Sequence, residues 1–323
     1  MSGLLVTGGA GFIGSHVAER FAAAGRAVRV LDDFDPYYDP ARKRRTAAAL
    51  QAAGVEVLEG DVRDPDAAAA ALEGASAVVH LAARPGVRAS IEDPRTTLDV
   101  NVMGTLTLLE AVRRSPACRA VVFASSSSVY GADAQAPFSE DQPAARPLSP
   151  YAASKRCGEH LLASYAALHG IGATALRFFT VYGPRGRPDM SVGRFVARAL
   201  RGESVPLFGD GSVVREFTYV DDVVEGVVAA VERARPGGGL AVFNLGGGAT
   251  ATMTELIAEI EAAAGVALAV ERHPAAAGDM ARTEADLTRA AAGLGYAPRV
   301  SLAEGIRRTV AWARADQAAG GAH

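Results

Sequence analysis

The first half of the chain alternates short, nearly continuous apolar runs with longer, often alanine-rich stretches. "LLVTGG", "AVRVLDDF", "VEVLEGD", "AVVHLAA" and "RAVVFASS" read as buried strands, and "GSHVAERFAAAG" as a helix that Gly25 can end. Strands without a polar face belong in a parallel sheet covered by helices on both sides, which predicts an α/β fold with a Rossmann-type doubly wound sheet. The second half is more mixed. It predicts helices over 191–201, 252–264 and 302–315, short strands near 213–219 and 241–245, a loop at "RPGGGL" and a disordered "AAGGAH" tail. No linker and no repeat breaks the chain, so a smaller C-terminal α/β part is expected to pack directly on the sheet.

Composition narrows the partners more than the fold. With 323 residues, 49% of them hydrophobic and 21% charged, the chain can bury a large core and is too apolar for disorder. A net charge of −3 makes no case for nucleic acid or a membrane surface. No apolar run reaches the roughly 18 residues of a membrane span, and "MSGLLVTGGAG" lacks a secretory pattern, so the cytoplasm is expected. Cys118 and Cys157 cannot build a disulfide framework, and neither they nor the scattered histidines have metal-site spacing, so no metal is expected.

"TGGAGFIG" sets Gly8, Gly11 and Gly14 at the turn from the first strand into the first helix. Glycines there allow positive φ, close approach of backbone N–H groups to a pyrophosphate, and tight helix–sheet packing. Asp32 ends the second strand at about the ~20-residue spacing of an acid that binds an adenosine ribose. An uncompensated acid there repels a 2′-phosphate, which favours NAD over NADP. Asp61 after the third strand could reach the adenine or simply cap a turn, and "RKRR" (42–45) reads as a solvated helix face. Farther on, Ser149 and Pro150 open a helix that puts Tyr151 and Lys155 four apart on one face. A neighbouring ammonium and the positive helix start would favour the phenolate of Tyr151, making it a candidate general base. Cys157 reads as packing. In "RFFTVYGPRGRPDM" (177–190), three arginines follow one another in and after a strand, and they call for anions. Asp189 suits the N-cap of the helix at 191–201, which would set Arg187 beside a helix N-terminus; alternatively Arg187 and Asp189 brace the loop as an ion pair.

The glycine spacing with "YAASK", and then "HLAARPGVRASIEDP", "VNVMGT", "FASSSSVYG", "LRFFTVYGPRGRPDM", "REFTYVDDVV" and "GDMARTEAD", resembles the extended short-chain dehydrogenase/reductase superfamily almost end to end. Within it the chain is most similar to the nucleotide-sugar 4-epimerases acting on UDP-glucuronate. The resemblance implies an NAD-binding part over 1–178 with a returning segment near 213–245, and a mainly UDP-sugar-binding part over 179–323. It implies a homodimer through paired helices. Ser126, Tyr151 and Lys155 match the catalytic set, with Lys155 tuning Tyr151 and binding the nicotinamide ribose. Phe12, Ile13, Val62, Leu81, Ala82 and Ala83 fall along the cofactor. Ser127 and Ser128 stand on the sugar side, where related dehydratases carry Asp-Glu, which disfavours water elimination. Thr180 and Arg187 match a clamp for the hexuronate carboxylate. Phe208 matches an aromatic that stacks on uracil, Asn101 a diphosphate-side asparagine, and Arg215, Arg282 and Arg88 are cations for the diphosphate or the sugar acid. UDP-glucose 4-epimerisation, which needs no carboxylate clamp, and decarboxylation to UDP-xylose are the rival activities. A silent NAD-binding protein has no need of Ser126, Tyr151 and Lys155 together.

Overall fold

The computed structural model describes residues 3–274 and 282–320; the first four residues of the "GDMARTEAD" motif from 278, and the last three of the tail, lie outside them. In chain order the strands are β1 (Gly3–Thr7), β2 (Val28–Asp32), β3 (Glu56–Glu59), β4 (Ala75–His80), β5 (Ala120–Ser126), β6 (Gly172–Phe178), β7 (Thr180–Tyr182), β8 (Val205–Phe208), β9 (Val214–Tyr219), β10 (Leu240–Leu245), β11 (Thr250–Thr252) and β12 (Val270–His273). The helices are α1 (Phe12–Ala23), α2 (Pro40–Ala52), α3 (Pro65–Ala71), α4 (Val87–Glu92), α5 (Pro94–Leu98), α6 (Gly104–Arg114), α7 (Pro150–His169), α8 (Ser191–Arg201), α9 (Val220–Arg233), α10 (Met253–Ala264), α11 (Thr288–Leu294) and α12 (Leu302–Ala318). Among the described residues none is long and apolar enough to cross a membrane.

Seven strands form one parallel sheet in the order β10-β6-β5-β4-β1-β2-β3. Successive side chains of a strand point to opposite faces, and both faces here are apolar. Leu4, Val6, Val30 and Val122 pack with Val17 of α1 and Val223 and Val227 of α9. Their neighbours Leu5, Leu31 and Val121 pack on the other side with Leu108 of α6 and Leu162 of α7. That double burial is why the strands read as unbroken apolar runs. The first of these cores continues to Leu256, Ile306 and Val310, so the C-terminal part shares the core of the sheet. Within 213–245, β10 joins the main sheet beside β6, whereas β9 pairs with β7 and β11. Strand order reverses between β1 and β4, and the crevice beyond the carboxyl ends of the strands at such a reversal is where open α/β sheets bind ligands.

A buried ion pair ties α7 to the sheet. Arg177 of β6 donates from Nε and Nη2 to Glu159 of α7, both at 2.9 Å. Ser125 donates to the same carboxylate at 2.6 Å, and so does Arg156, also at 2.6 Å. The Arg177 guanidinium also lies over the Tyr130 ring, 4.7 Å from its centroid.

Candidate active site

The turn from β1 into α1 folds back on the chain so closely that side chains are excluded. Gly8 has φ +69°, and a Cβ there would lie 2.7 Å from the Ala82 nitrogen. A Cβ on Gly14 would lie 2.2 Å from the Gly8 carbonyl oxygen. Gly11 caps α1 without any side-chain hydrogen bond, which leaves the first N–H groups of the helix for an anion. This turn opens on a cleft of about 380 Å³. Gly8, Gly11, Phe12, Ile13, Gly14, Asp32, Val62, Leu81, Ala82 and Ala83 line one end of it. Ser126, Ser127, Ser128, Tyr151, Lys155, Thr180 and Arg187 line it as well. The glycine cradle and the bare helix start fit the pyrophosphate of a dinucleotide.

At the adenosine end, Asp32 accepts hydrogen bonds from the Ala10 and Phe34 nitrogens at 3.0 and 2.9 Å. Burial pushes its carboxyl above the usual range, while the Lys43 ammonium and these two hydrogen bonds pull it back. Lys43 corrects two expectations. It is buried rather than solvated, with its Nζ 4.0 Å from Asp32 Oδ1 and over the Tyr38 ring, so Asp32 has a compensating charge. Helix α2 turns this one member of "RKRR" inward, whereas Arg44 pairs with Glu59 at the surface. Lys43→Met is therefore expected to sharpen the preference for NAD over NADP by about tenfold, worth ~1.4 kcal/mol. Binding titrations with both cofactors check this, and an unchanged ratio would separate Lys43 from the ribose. Asp61 does not line the cleft: its carboxylate accepts from the Arg63 nitrogen at 2.8 Å and pairs with the Arg63 guanidinium, capping its own turn.

The chemical centre is where β5 ends and α7 begins. Ser149 caps α7 by accepting from the Ala152 nitrogen at 3.1 Å, with Pro150 in the first turn. Ser126 ends β5, and its Oγ accepts from the Ser128 nitrogen at 3.2 Å. Burial pushes the Tyr151 phenol up; the Arg187 charge and a Ser126 hydrogen bond oppose this, and Asp189 adds to it. The charge that favours the phenolate is thus that of Arg187. Burial pulls the ammonium of Lys155, the cation expected in that role, down to about 7. Cys157 is exposed and does not pack in the core.

Each arginine of the 177–190 stretch holds a carboxylate of the chain itself. Arg177 holds Glu159, Arg185 holds Glu19 at 2.7 and 2.6 Å, and Arg187 holds Asp189 at 2.9 and 2.8 Å. Asp189 is not the cap of α8. Met190 occupies that position without a side-chain hydrogen bond, because the Asp189 carboxylate is taken by the Arg187 fork and by the Tyr37 hydroxyl at 3.2 Å.

The remaining substrate-side candidates lie outside the cleft lining. Asn101, expected on the diphosphate side, is engaged within the fold. Its oxygen accepts from the Arg84 nitrogen at 2.7 Å, and its amide group donates to the Arg84 oxygen at 3.1 Å and to Ser154 at 2.9 Å. The Phe208 ring stacks on His273 and has the Arg88 guanidinium 5.0 Å from its centroid, so its surface is partly covered. Arg282 bridges to Val214, next to Arg215, which brings these two arginines onto adjacent segments; the Arg282 guanidinium pairs with Glu284. Lys43, Tyr37, Tyr38 and Arg84 also line the cleft and were not anticipated. The aromatic pair inside "DDFDPYYDP", just past the strand that ends in Asp32, was the available signal.

Residues 4–246 match the NAD dependent epimerase/dehydratase family. UDP-glucuronate 4-epimerase 3 of Arabidopsis thaliana is 38% identical over 96% of this chain and 76% of its own length. Among solved structures, the UDP-glucuronic acid 4-epimerase of Bacillus cereus, in complex with UDP-glucuronic acid and NAD, superposes with a TM-score of 0.91 at 35% identity, covering 97% of this chain and 99% of that one. The UDP-glucose 4-epimerase of Thermotoga maritima, with UDP-glucose, gives 0.87 at 33% identity over 98% and 99%. By sequence, fold and the glycine cradle alike, the chain belongs to the NAD-dependent epimerase/dehydratase family.

Proposed function

We propose that the protein epimerises UDP-glucuronate at carbon 4 to UDP-galacturonate, using NAD. The observation that carries this reading is the presence of Arg187 and Thr180 in the same cleft as Ser126 and Tyr151, a cation beside the acid–base pair. Tyr151 takes the proton of the 4-hydroxyl and later returns it, while Ser126 hydrogen-bonds the same oxygen. NAD, held at the glycine turn, supplies oxidation and reduction at carbon 4 with no net redox change. Between the two halves the 4-keto sugar turns over so that its opposite face meets the cofactor. With a carboxylate on carbon 5, that ketone is a β-keto acid, and loss of CO₂ requires the breaking bond to align with the carbonyl π system. Thr180 and Arg187 hold the carboxylate out of that alignment. Arg88, Arg215, Arg282 and Phe208 serve the UDP end from outside the sugar cleft, and residues 1–178 and 179–323 divide cofactor and sugar nucleotide between them. A cytoplasmic homodimer is the assembly that goes with this reading, and sedimentation tests it.

A panel of UDP-sugars with product analysis tests the activity. UDP-glucuronate is expected to be used far better than UDP-glucose, giving UDP-galacturonate without loss of CO₂. Arg187→Met is expected to lower kcat/KM for UDP-glucuronate by roughly ten- to a hundredfold, the worth of a charge-assisted bidentate contact, and UDP-glucose turnover by less. A 4-keto pentose should then appear among its products. Equal use of the two sugars, unmoved by the substitution, would transfer the protein to the UDP-glucose epimerases. UDP-xylose from the wild type would make it a decarboxylase.

A further inference from the structure

Of the three arginines in the 177–190 stretch, Arg187 alone lines the cleft of the acid–base residues, and its ion-pair partner Asp189 sits beside that cleft. Asp189 takes the Nε–Nη2 edge of the guanidinium, and Tyr37 of the β2–α2 loop holds the same carboxylate from the other side. A guanidinium has a second bidentate edge, Nη1–Nη2, but the two edges share Nη2. A sugar carboxylate seated there would lie beside Asp189, two anions on one partly buried cation, where like charges disfavour each other. The two carboxylates therefore compete.

We propose that Asp189 is a specificity-determining residue that competes with the sugar carboxylate for Arg187 and takes the guanidinium back whenever that carboxylate leaves it. The proposal rests on the reading that the substrate is a hexuronate. If one site is to address both faces of carbon 4, the ring must turn, and its carboxylate cannot keep one contact throughout. A clamp with no substitute partner would leave a partly buried cation unpaired at every turn, which has a cost. Asp189, two residues along the chain, supplies that partner. The arrangement weakens substrate binding and speeds the turn.

Asp189→Asn tests this on the NAD-loaded protein, since it keeps shape and acceptor oxygen but loses the charge. Kd and KM for UDP-glucuronate are expected to fall five- to tenfold and kcat to fall by a similar factor, with Kd for UDP-glucose nearly unmoved. The acid limb of the kcat profile should move to lower pH, because an anion that raises the Tyr151 phenol has been removed. A higher Kd for UDP-glucuronate with kcat preserved would overturn the proposal and make Asp189 a brace for Arg187. Tyr37→Phe loosens Asp189 without touching its charge and should lower Kd for UDP-glucuronate two- to threefold; an unchanged or raised value overturns the proposal even if the Asp189 variant misfolds. Tighter UDP-glucuronate binding by Asp189→Asn in a protein that makes no UDP-galacturonate would uphold the competition while refuting the activity. Equal wild-type affinity for both UDP-sugars, with neither moved by Asp189→Asn, would refute both.

Discussion

Tyr151→Phe is expected to lower turnover by roughly 10²–10⁴ while NAD and UDP-sugar binding stay within a few-fold of wild type, because positioned acid–base groups are worth about that much. The substitution removes one hydroxyl from a ring that α7 holds in place through the Ser149 cap, so the shape of the cleft is kept. What disappears is the group that exchanges a proton with the 4-oxygen. Ser126 remains at hydrogen-bonding distance of Ser128 and cannot replace it, since an unperturbed serine hydroxyl is a far weaker acid–base group than a tyrosine held near Arg187. Single-turnover kinetics with separate binding titrations check the result. Wild-type turnover in the variant would take the role of base away from Tyr151.

Arg177→Met should destabilise the fold by about 3 kcal/mol, the low end of the ~3–5 kcal/mol seen when one partner of a buried ion pair is removed. The low end applies because Arg156 and Ser125 still hold Glu159. In the wild type the Glu159 carboxyl lies below the usual range: burial would raise it, but Arg177 first, then Ser125 and Arg156, outweigh the burial. A carboxyl lowered in the folded state adds stability above the ordinary carboxylate pKa and loses it as pH falls through the folded value. In the variant, burial raises the same carboxyl, and protonation relieves it. The gap between wild type and variant should therefore be widest near neutral pH and shrink towards pH 4. Urea unfolding at several pH values measures this; a gap independent of pH would mean that the pair contributes packing rather than charge.

How far the sequence reaches depends on whether a feature is local. The glycine turn, the apolar strands and α8, whose observed limits are those expected from its apolar spacing, are decided by neighbouring residues. Helix α9 was missed although "VDDVVEGVVAAVER" carries a legible period: Val220, Val223, Val224, Val227, Ala230 and Val231 form one apolar stripe, which α1 and the sheet cover. Strand β8 pairs with β12, more than 60 residues away, and no local pattern announces that. The site failed where one side chain has two suitors. Asp189 could cap a helix or pair with an arginine two residues before it, and the guanidinium offers two charged hydrogen bonds against one neutral one. Asn101 has the right residue type for a polar ligand, but its amide is consumed by Arg84 and Ser154. Lys43 is one cation of four in a row, and only the fold decides which of them faces inward.

The place of β10 bears on how the chain must be made. Strand β6 is flanked by β5 on one side and by β10 on the other, and β10 is supplied about 60 residues later in synthesis. Until Leu240–Leu245 emerges from the ribosome, β6 is a bare, largely apolar edge with a row of unpaired backbone groups, the kind of surface on which chains join each other. A nascent chain that stalls between 178 and 240 carries that edge into the cell, and so does a recombinant fragment cut after β6. Such fragments should be rescued by adding the missing strand in trans, or by moving the chain ends elsewhere so that β10 is translated before β6.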